Sequence, residues 1–430
     1  MRTPPAIRSV TALLCSDCTL RCAYCYQRPG GSLRMSWPVL RASLDVALTS
    51  PVRPVTIEFS GGEPLLAFPM LRRALRYAER SGNDAGVRYV LTTNGTLLDP
   101  ATLAVLEEHR FEVRLTFHAV PGAQDPSGRG IFRHLDRVLD RLQVEHAALW
   151  RDRLHVAVTV GICEVPALAD SIEYLVAKGV RHVGMAAAFG QARWRAGDID
   201  RIERQFARIT ALMRRERART GRLPLPLYRK RDGETGSSSG EDPPCSGASG
   251  QAIAIDPTGQ AYGCVMLAGT RPVTPDRVRA TAARPHGAAP ALVVNRGSPL
   301  WRFQLGDVRD AAFSRRLRTY SPAVLRSGIF ERRREQYSSY GRCGDCRFID
   351  RCSVCPVASA FGPHASDPNQ VSDFVCAFNR VAFGQRERFP EEPSLWQQLA
   401  GRAPVPILVR ELQQHASRTR GALTRGARGR

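Results

Sequence analysis

Between residues 7 and 218, short runs dense in Val, Ile, Leu and Phe alternate with longer stretches in which apolar residues recur every three or four positions. The short runs predict strands over Ser9–Leu14, Val55–Ser60, Val87–Thr92, Phe111–Phe117, Leu154–Gly161 and Val180–Ala187. The longer ones predict helices over Trp37–Leu48, Met70–Arg80, Thr102–His109, Phe132–Leu142, Leu168–Lys178 and Ile199–Arg217. Such α/β alternation implies parallel βαβ units. Right-handed crossovers allow these to form a partial (β/α) barrel or an open doubly wound sheet.

The pattern stops near residue 219. Residues 1–218 are therefore expected to form the first domain, and the Gly-, Ser- and Pro-rich stretch 219–244 a linker. A smaller cysteine-rich domain spans 245–388, interrupted by a low-complexity insertion at 269–298. From Gly401 the chain carries seven Arg against one Glu. Residues 389–430 therefore read as a terminal helix and a basic, Arg-rich tail.

Composition narrows the function. Hydrophobic residues make up 43% of 430, and no apolar run reaches the length that spans a bilayer. The opening "MRTPPAIRSV" has no signal core, so a cytoplasmic protein with no membrane association is expected. The formal charge of +22 would suit a nucleic-acid partner. Lys occurs only at Lys178 and Lys230, however, and so Arg-heavy a composition is also what GC-rich coding leaves on solvated faces. No basic motif is interleaved with aromatics, so nucleic acid is not expected as the substrate. Twelve cysteines are too many for core filling where disulfides are rare, which points to metal or redox chemistry.

Directly after the first strand, Cys18, Cys22 and Cys25 are separated by three and then two intervening residues. A structural zinc ion or a closed cluster takes four ligands. Three thiolates on a [4Fe–4S] cube leave one iron free to bind something else; a three-ligand zinc site is the alternative. Gly61-Gly62-Glu63-Pro64 closes the second strand, where glycines and proline alone would make an ordinary tight turn.

Together these motifs resemble the radical S-adenosylmethionine (SAM) superfamily, whose C-x3-C-x2-C pattern has an aromatic residue before the last Cys, here Tyr24. The resemblance implies a partial (β/α)6 TIM-like barrel. It also implies SAM chelated to the free iron and cleaved reductively to a 5′-deoxyadenosyl radical. Gly61 and Gly62 would let the backbone approach SAM, and Glu63 would bond its ammonium group. "LTTNG" ends the third strand and would place Thr93 and Asn94 at the ribose or carboxylate; an Asn-Gly turn is the other reading. Thr116 and His118 end the fourth strand, where relatives often carry a Ser and an Asp-Gly, so His118 departs from the family pattern. "GICEV" at 161–165 fits the adenine position. Cys163 within it, and Cys15 in the first strand, read as small buried residues. No catalytic acid or base is assigned.

The remaining cysteines resemble the SPASM extension, which holds auxiliary iron–sulfur clusters. Gly259 to Cys264 gives G-x4-C, "LGDVRDAAF" precedes the second group, and C-x2-C-x5-C-x2-C runs from Cys343 to Cys355. The last spacing is one residue shorter than the family's. The resemblance implies one cluster on Cys343, Cys346, Cys352 and Cys376, and another on Cys245, Cys264 and Cys355. Paired C-x2-C units also suit zinc. Electron transfer is the role expected of such clusters.

Proteins of this kind mostly modify peptides or protein side chains. The expectation is therefore a maturase that installs a thioether, a carbon–carbon link or a similar oxidised group on a ribosomally made peptide. It would draw electrons from a flavodoxin or ferredoxin. With the first strand near residue 9 no N-terminal leader-binding domain is expected, so a separate leader-peptide-binding protein is a candidate partner. Val265 and Met266 stand where sulfatase maturases place an Asp after Cys264, which argues against formylglycine formation. A radical dehydrogenase acting on a small molecule and an RNA-modifying radical enzyme are the alternatives.

Overall fold

The structure is a computed structural model and describes residues 6–22, 24–25, 32–188, 194–229, 250–268, 303–325, 334–352, 367 and 369–389. Six strands, β1 (Ser9–Leu13), β2 (Val55–Ser60), β3 (Val87–Thr93), β4 (Glu112–Thr116), β5 (Leu154–Val160) and β6 (Val183–Ala187), lie in sequential order, every neighbouring pair parallel. The connecting helices are α1 (Trp37–Leu48), α2 (Phe68–Ser81), α3 (Pro100–Glu108), α4 (Pro121–Gln124), α5 (Ile131–Glu145), α6 (Ala147–Asp152) and α7 (Leu168–Ala177), with α8 (Ile199–Thr220) after β6. This is a partial (β/α)6 barrel. The expected strands and long helices are all present, with ends moved by a few residues. At β6 the strand starts at Val183 rather than Val180, because Gly179 turns the chain at φ +84°.

Local chemistry sets the helix ends. Asp99 caps α3 by accepting from Thr102 N at 2.7 Å, with Pro100 in the first turn. Gly82 and Gly221 end α2 and α8 in the left-handed conformation, where a side chain would be strained. One face of the sheet packs on the helices: Ile57, Phe59, Leu91, Val113 and Leu115 are fully buried with Leu40, Leu71, Leu103 and Leu139.

The other face carries Thr11 paired with Glu58 and, two residues further along β3, Thr92 paired with Arg114. Glu58 accepts from Thr92 Oγ1 at 2.7 Å and from Thr11 Oγ1 at 3.3 Å, and Arg114 lies 3.6 Å away. A closed barrel fills this face with branched apolar side chains; here it is polar.

The C-terminal region continues the sheet. β7 (Ala252–Ile255) pairs parallel with β1, and β8 (Gln260–Tyr262) and β9 (Gln304–Asp307) follow antiparallel. The β7–β8 turn explains Gly259: it sits at φ +100° while Asp256 Oδ1 accepts from Thr258 N and Gln260 N. α9 (Phe313–Leu325) follows β9. α10 (Asp373–Glu387) packs on α8 through Phe378 and Phe206, 5.2 Å apart edge to face. Most of the expected linker, the 269–298 insertion and all of the tail except Phe389 lie outside the described residues. Among the described residues, no helix is long and apolar enough to cross a membrane.

Candidate functional site

The cysteine loop leaves the end of β1 and lies on the turn that ends β2. Gly62 N donates to Cys15 O at 2.8 Å and Glu63 N to Asp17 O at 2.7 Å. The two glycines are required by this contact. A Cβ on Gly61, which sits at φ +137°, would lie 2.4 Å from Cys15 O, and one on Gly62 would lie 2.1 Å from Asp17 O. Their immediate role is to let the cysteine loop settle directly on the β2 turn.

Cys18 and Cys25 are exposed and Cys22 is half-buried. Cys18 Sγ accepts from Leu20 N and from Asn94 Nδ2, both at 3.4 Å. Cys15 is buried, as expected, and its thiol donates to Glu63 O at 3.2 Å. Cys163 corrects the sequence reading: it is exposed, because β5 ends at Val160 and the residue falls in the turn beyond it.

Glu63 is completely buried. Its carboxylate accepts from Leu65 N at 3.1 Å and Asn94 N at 2.9 Å, and the Thr93 hydroxyl lies 2.8 and 2.9 Å from its two oxygens. Burial pushes its pKa up, and the bonds from Asn94, Leu65 and Thr93 oppose that shift. The carboxylate thus ties the β2 turn to the end of β3. It reaches the site's surface through Asn94.

His118, only 1% exposed, follows β4. Its Nδ1 is 3.1 Å from the Ala123 carbonyl, which can only accept, so Nδ1 carries the proton and Nε2 accepts. The Tyr24 hydroxyl, 2.9 Å away, donates to it. Burial holds the His118 pKa below its usual range, keeping the ring neutral, and raises that of Tyr24. Ala119 next to it takes φ +59°, a strained conformation for a residue with a side chain. Thr116 ends β4 half-buried. The structure thus gathers Tyr24, Gly61, Gly62, Glu63, Thr93, Asn94, Thr116 and His118 around the ends of β1–β4. The bonds from Asn94 to Cys18 and from Tyr24 to His118 were not foreseen.

A second gathering is C-terminal. Cys343, Cys346, Cys352 and Cys376 line one pocket, backed by Phe348 and Phe383. Ser338 Oγ donates to Cys376 Sγ at 3.1 Å, and Asn379 Nδ2 approaches Cys352 Sγ at 3.6 Å. Burial, then the neighbouring cysteines, push the Cys343 thiol up to about 11, while Arg380 opposes the rise. Cys264 lies half-buried just after β8, whereas Cys245 and Cys355 lie outside the described residues.

Among the described residues, no three Cys, His, Asp or Glu side chains converge as ligands of a single metal ion. A cubane cluster makes a different demand, one sulfur per separate iron. The β1 loop fits it by its donor set: three thiols in one loop, with N–H groups aimed at Cys18 Sγ as they would be at a thiolate.

Comparison with known proteins agrees. Residues 13–159 match the family model of the radical SAM superfamily. An uncharacterised protein of Methanocaldococcus jannaschii is 23% identical over 168 residues, 39% of this chain and 57% of that protein. The GTP 3′,8-cyclase of Chlorobaculum tepidum is 32% identical over 130 residues, 30% of this chain and 38% of that enzyme. The chain thus spans less than two thirds of the length of these curated relatives. The structure of anSMEcpe with bound AdoMet matches with a TM-score of 0.63 at 15% identity, covering 88% of this chain and 97% of that one. SuiB of Streptococcus suis, bound to S-adenosylmethionine, matches at 0.52 and 13% identity, covering 86% and 77%. At such identities these two likenesses concern the fold. The three-cysteine loop on β1, the Gly-Gly-Glu-Pro turn beneath it and the family match together mark residues 13–159 as a radical SAM domain.

Proposed function

We propose that this protein is a SAM-dependent radical enzyme that oxidatively modifies a side chain of a ribosomally made peptide, forming a thioether, a carbon–carbon link or a similar bond. The observation that carries this reading is the pocket lined by Cys343, Cys346, Cys352 and Cys376, on a chain that already has a radical SAM domain. Oxidising a peptide C–H bond removes a hydrogen atom and then a second electron, and a cysteine-held cluster provides an acceptor for that electron. The fold supports it: anSMEcpe was also crystallised with AdoMet and the Kp18Cys peptide, and that structure matches at a TM-score of 0.64.

Cys18, Cys22 and Cys25 would hold the SAM cluster. Cys343, Cys346, Cys352 and Cys376 would hold one auxiliary cluster, and Cys245, Cys264 and Cys355 another. When bound, the first cluster and SAM supply a 5′-deoxyadenosyl radical that takes hydrogen from the substrate. The chain's own residues position the reactants. The Gly61–Gly62 backbone, Asn94 and Thr116 form the rim for SAM; Glu63 and Thr93 brace it from beneath, and His118 holds Tyr24. A flavodoxin or ferredoxin would deliver electrons, and a separate protein would present the peptide leader.

Anaerobic reconstitution followed by iron and sulfide analysis tests the reading. Three cubane clusters give about twelve irons per chain, falling to about eight when Cys18, Cys22 and Cys25 are all changed to Ala. SAM cleavage should occur only in the wild type, and a peptide encoded beside the gene should lose hydrogen atoms by mass spectrometry. About four irons with no cysteine-dependent remainder would remove the auxiliary clusters, and with them the argument for peptide oxidation.

A further inference from the structure

We propose that Asn94 sets the reduction potential of the SAM cluster by donating a hydrogen bond to its Cys18 ligand. The inference rests on the reading of Cys18 as a cluster ligand and gives Asn94 a role distinct from contacting SAM.

The orientation of the Asn94 amide follows from its neighbours. Thr96 N, which can only donate, lies 3.0 Å from Asn94 Oδ1, and the Thr96 hydroxyl lies 2.7 Å from the same atom. Oδ1 is therefore the acceptor end. Nδ2 faces the cysteine loop, 3.4 Å from Cys18 Sγ and 3.0 Å from Thr19 Oγ1. The Thr19 and Thr96 hydroxyls are 2.6 Å apart and close the ring of contacts.

The backbone beneath is equally fixed. Asn94 N donates to the buried Glu63 carboxylate. Gly95 N donates to Thr93 Oγ1 at 3.0 Å, and Gly95 takes φ +78° where a Cβ would lie 2.5 Å from Leu115. Glu63, Thr93 and Gly95 thus make a rigid seat whose outcome is one N–H aimed at one sulfur. A donor on a cluster thiolate stabilises the more negative, reduced cluster and raises its potential. Asn94 therefore makes the cluster easier to reduce; it is a positioning residue acting through Cys18.

The test compares anaerobically reconstituted wild type with Asn94→Leu, Asn94→Asp and Thr96→Val. Asn94→Asp keeps the acceptor for Thr96 and removes the donor. Asn94→Leu removes it without adding charge. Thr96→Val loosens the loop but leaves Nδ2 in place. The readouts are iron content and the midpoint potential of the cluster whose EPR signal changes on adding SAM. Both Asn94 variants should retain their iron and shift to a more negative midpoint, with Thr96→Val matching wild type. An unchanged midpoint in the Asn94 variants, an equal shift in Thr96→Val, or loss of the cluster from both Asn94 variants would overturn the assignment. If the wild type holds no iron that depends on Cys18, Cys22 and Cys25, the cluster reading itself fails.

Discussion

The Tyr24 hydroxyl donates to His118 Nε2 at 2.9 Å, joining the cysteine loop on β1 to the residue that follows β4. Because His118 is buried and its other nitrogen is committed to Ala123, no water can replace Tyr24 there without opening the loop. Tyr24→Phe should leave a buried acceptor unpaired, at a cost of about 1–3 kcal/mol. Anaerobic urea unfolding of the loaded protein measures it. A midpoint equal to wild type would mean the bond contributes nothing to holding the loop.

The approach of Gly62 to Asp17 sets a steric limit. With its Cβ 2.1 Å from a backbone oxygen, Gly62→Ala cannot be absorbed by a side-chain rotation, so the cysteine loop must lift away from the β2 turn. The expected result is loss of the iron dependent on Cys18, Cys22 and Cys25, in a chain whose far-UV circular dichroism is unchanged. Gly184→Ala is the control: its Cβ would meet nothing within 4 Å, and iron content should be normal.

Much of this was legible in advance because the helices and strands of the barrel bury one face each. Burying one face imposes a period, as in β2, where Val55, Ile57 and Phe59 alternate with Thr56, Glu58 and Ser60. The thiols and the Gly-Gly turn were legible because few residue types can do their work. What Asn94 and His118 touch was not. Those contacts depend on loops from β1, β3 and β4 converging, which no local pattern encodes. Glu63 shows the same limit: the motif marked it as important, but only the structure shows it wholly enclosed and holding Asn94. Nor did the sequence show β7 joining the edge of β1, since Ala252–Ile255 is too short to declare its partner.

The four thiols around the C-terminal pocket predict a separable cluster. Changing Cys343 and Cys376 to Ala should remove about four irons and leave those of the β1 loop, because the two sites share no ligand. With a chemical reductant, the variant should still cleave SAM while failing to complete the oxidation of its peptide. Mass spectrometry of the peptide and chromatography of 5′-deoxyadenosine separate the two. Parallel loss of both activities would mean that the pocket supports the barrel as a whole.

His155 and His182 stack with ring centroids 4.7 Å apart, and both pKa values are held below the usual range. Burial is the largest cause for each. Arg114 and Arg229 add to it at His155, while His155, Arg229 and Arg181 add to it at His182; Glu112 and Asp152 oppose. The unfolded chain therefore binds protons that the folded chain refuses, so stability rises with pH across this window. It should be fully present above the unfolded histidine value of about 6.5 and fall progressively below it. Glu63, with its pKa raised, works in the opposite direction, since acid relieves the cost of its buried charge. Comparing wild type with His182→Phe cancels that contribution, because Glu63 is present in both. Phe keeps an aromatic ring against His155 and cannot titrate. Thermal unfolding at about pH 7.5 and about pH 5.5 should show a larger loss for wild type than for the variant. Equal losses would mean that the stacked pair does not control the acid side of the stability curve.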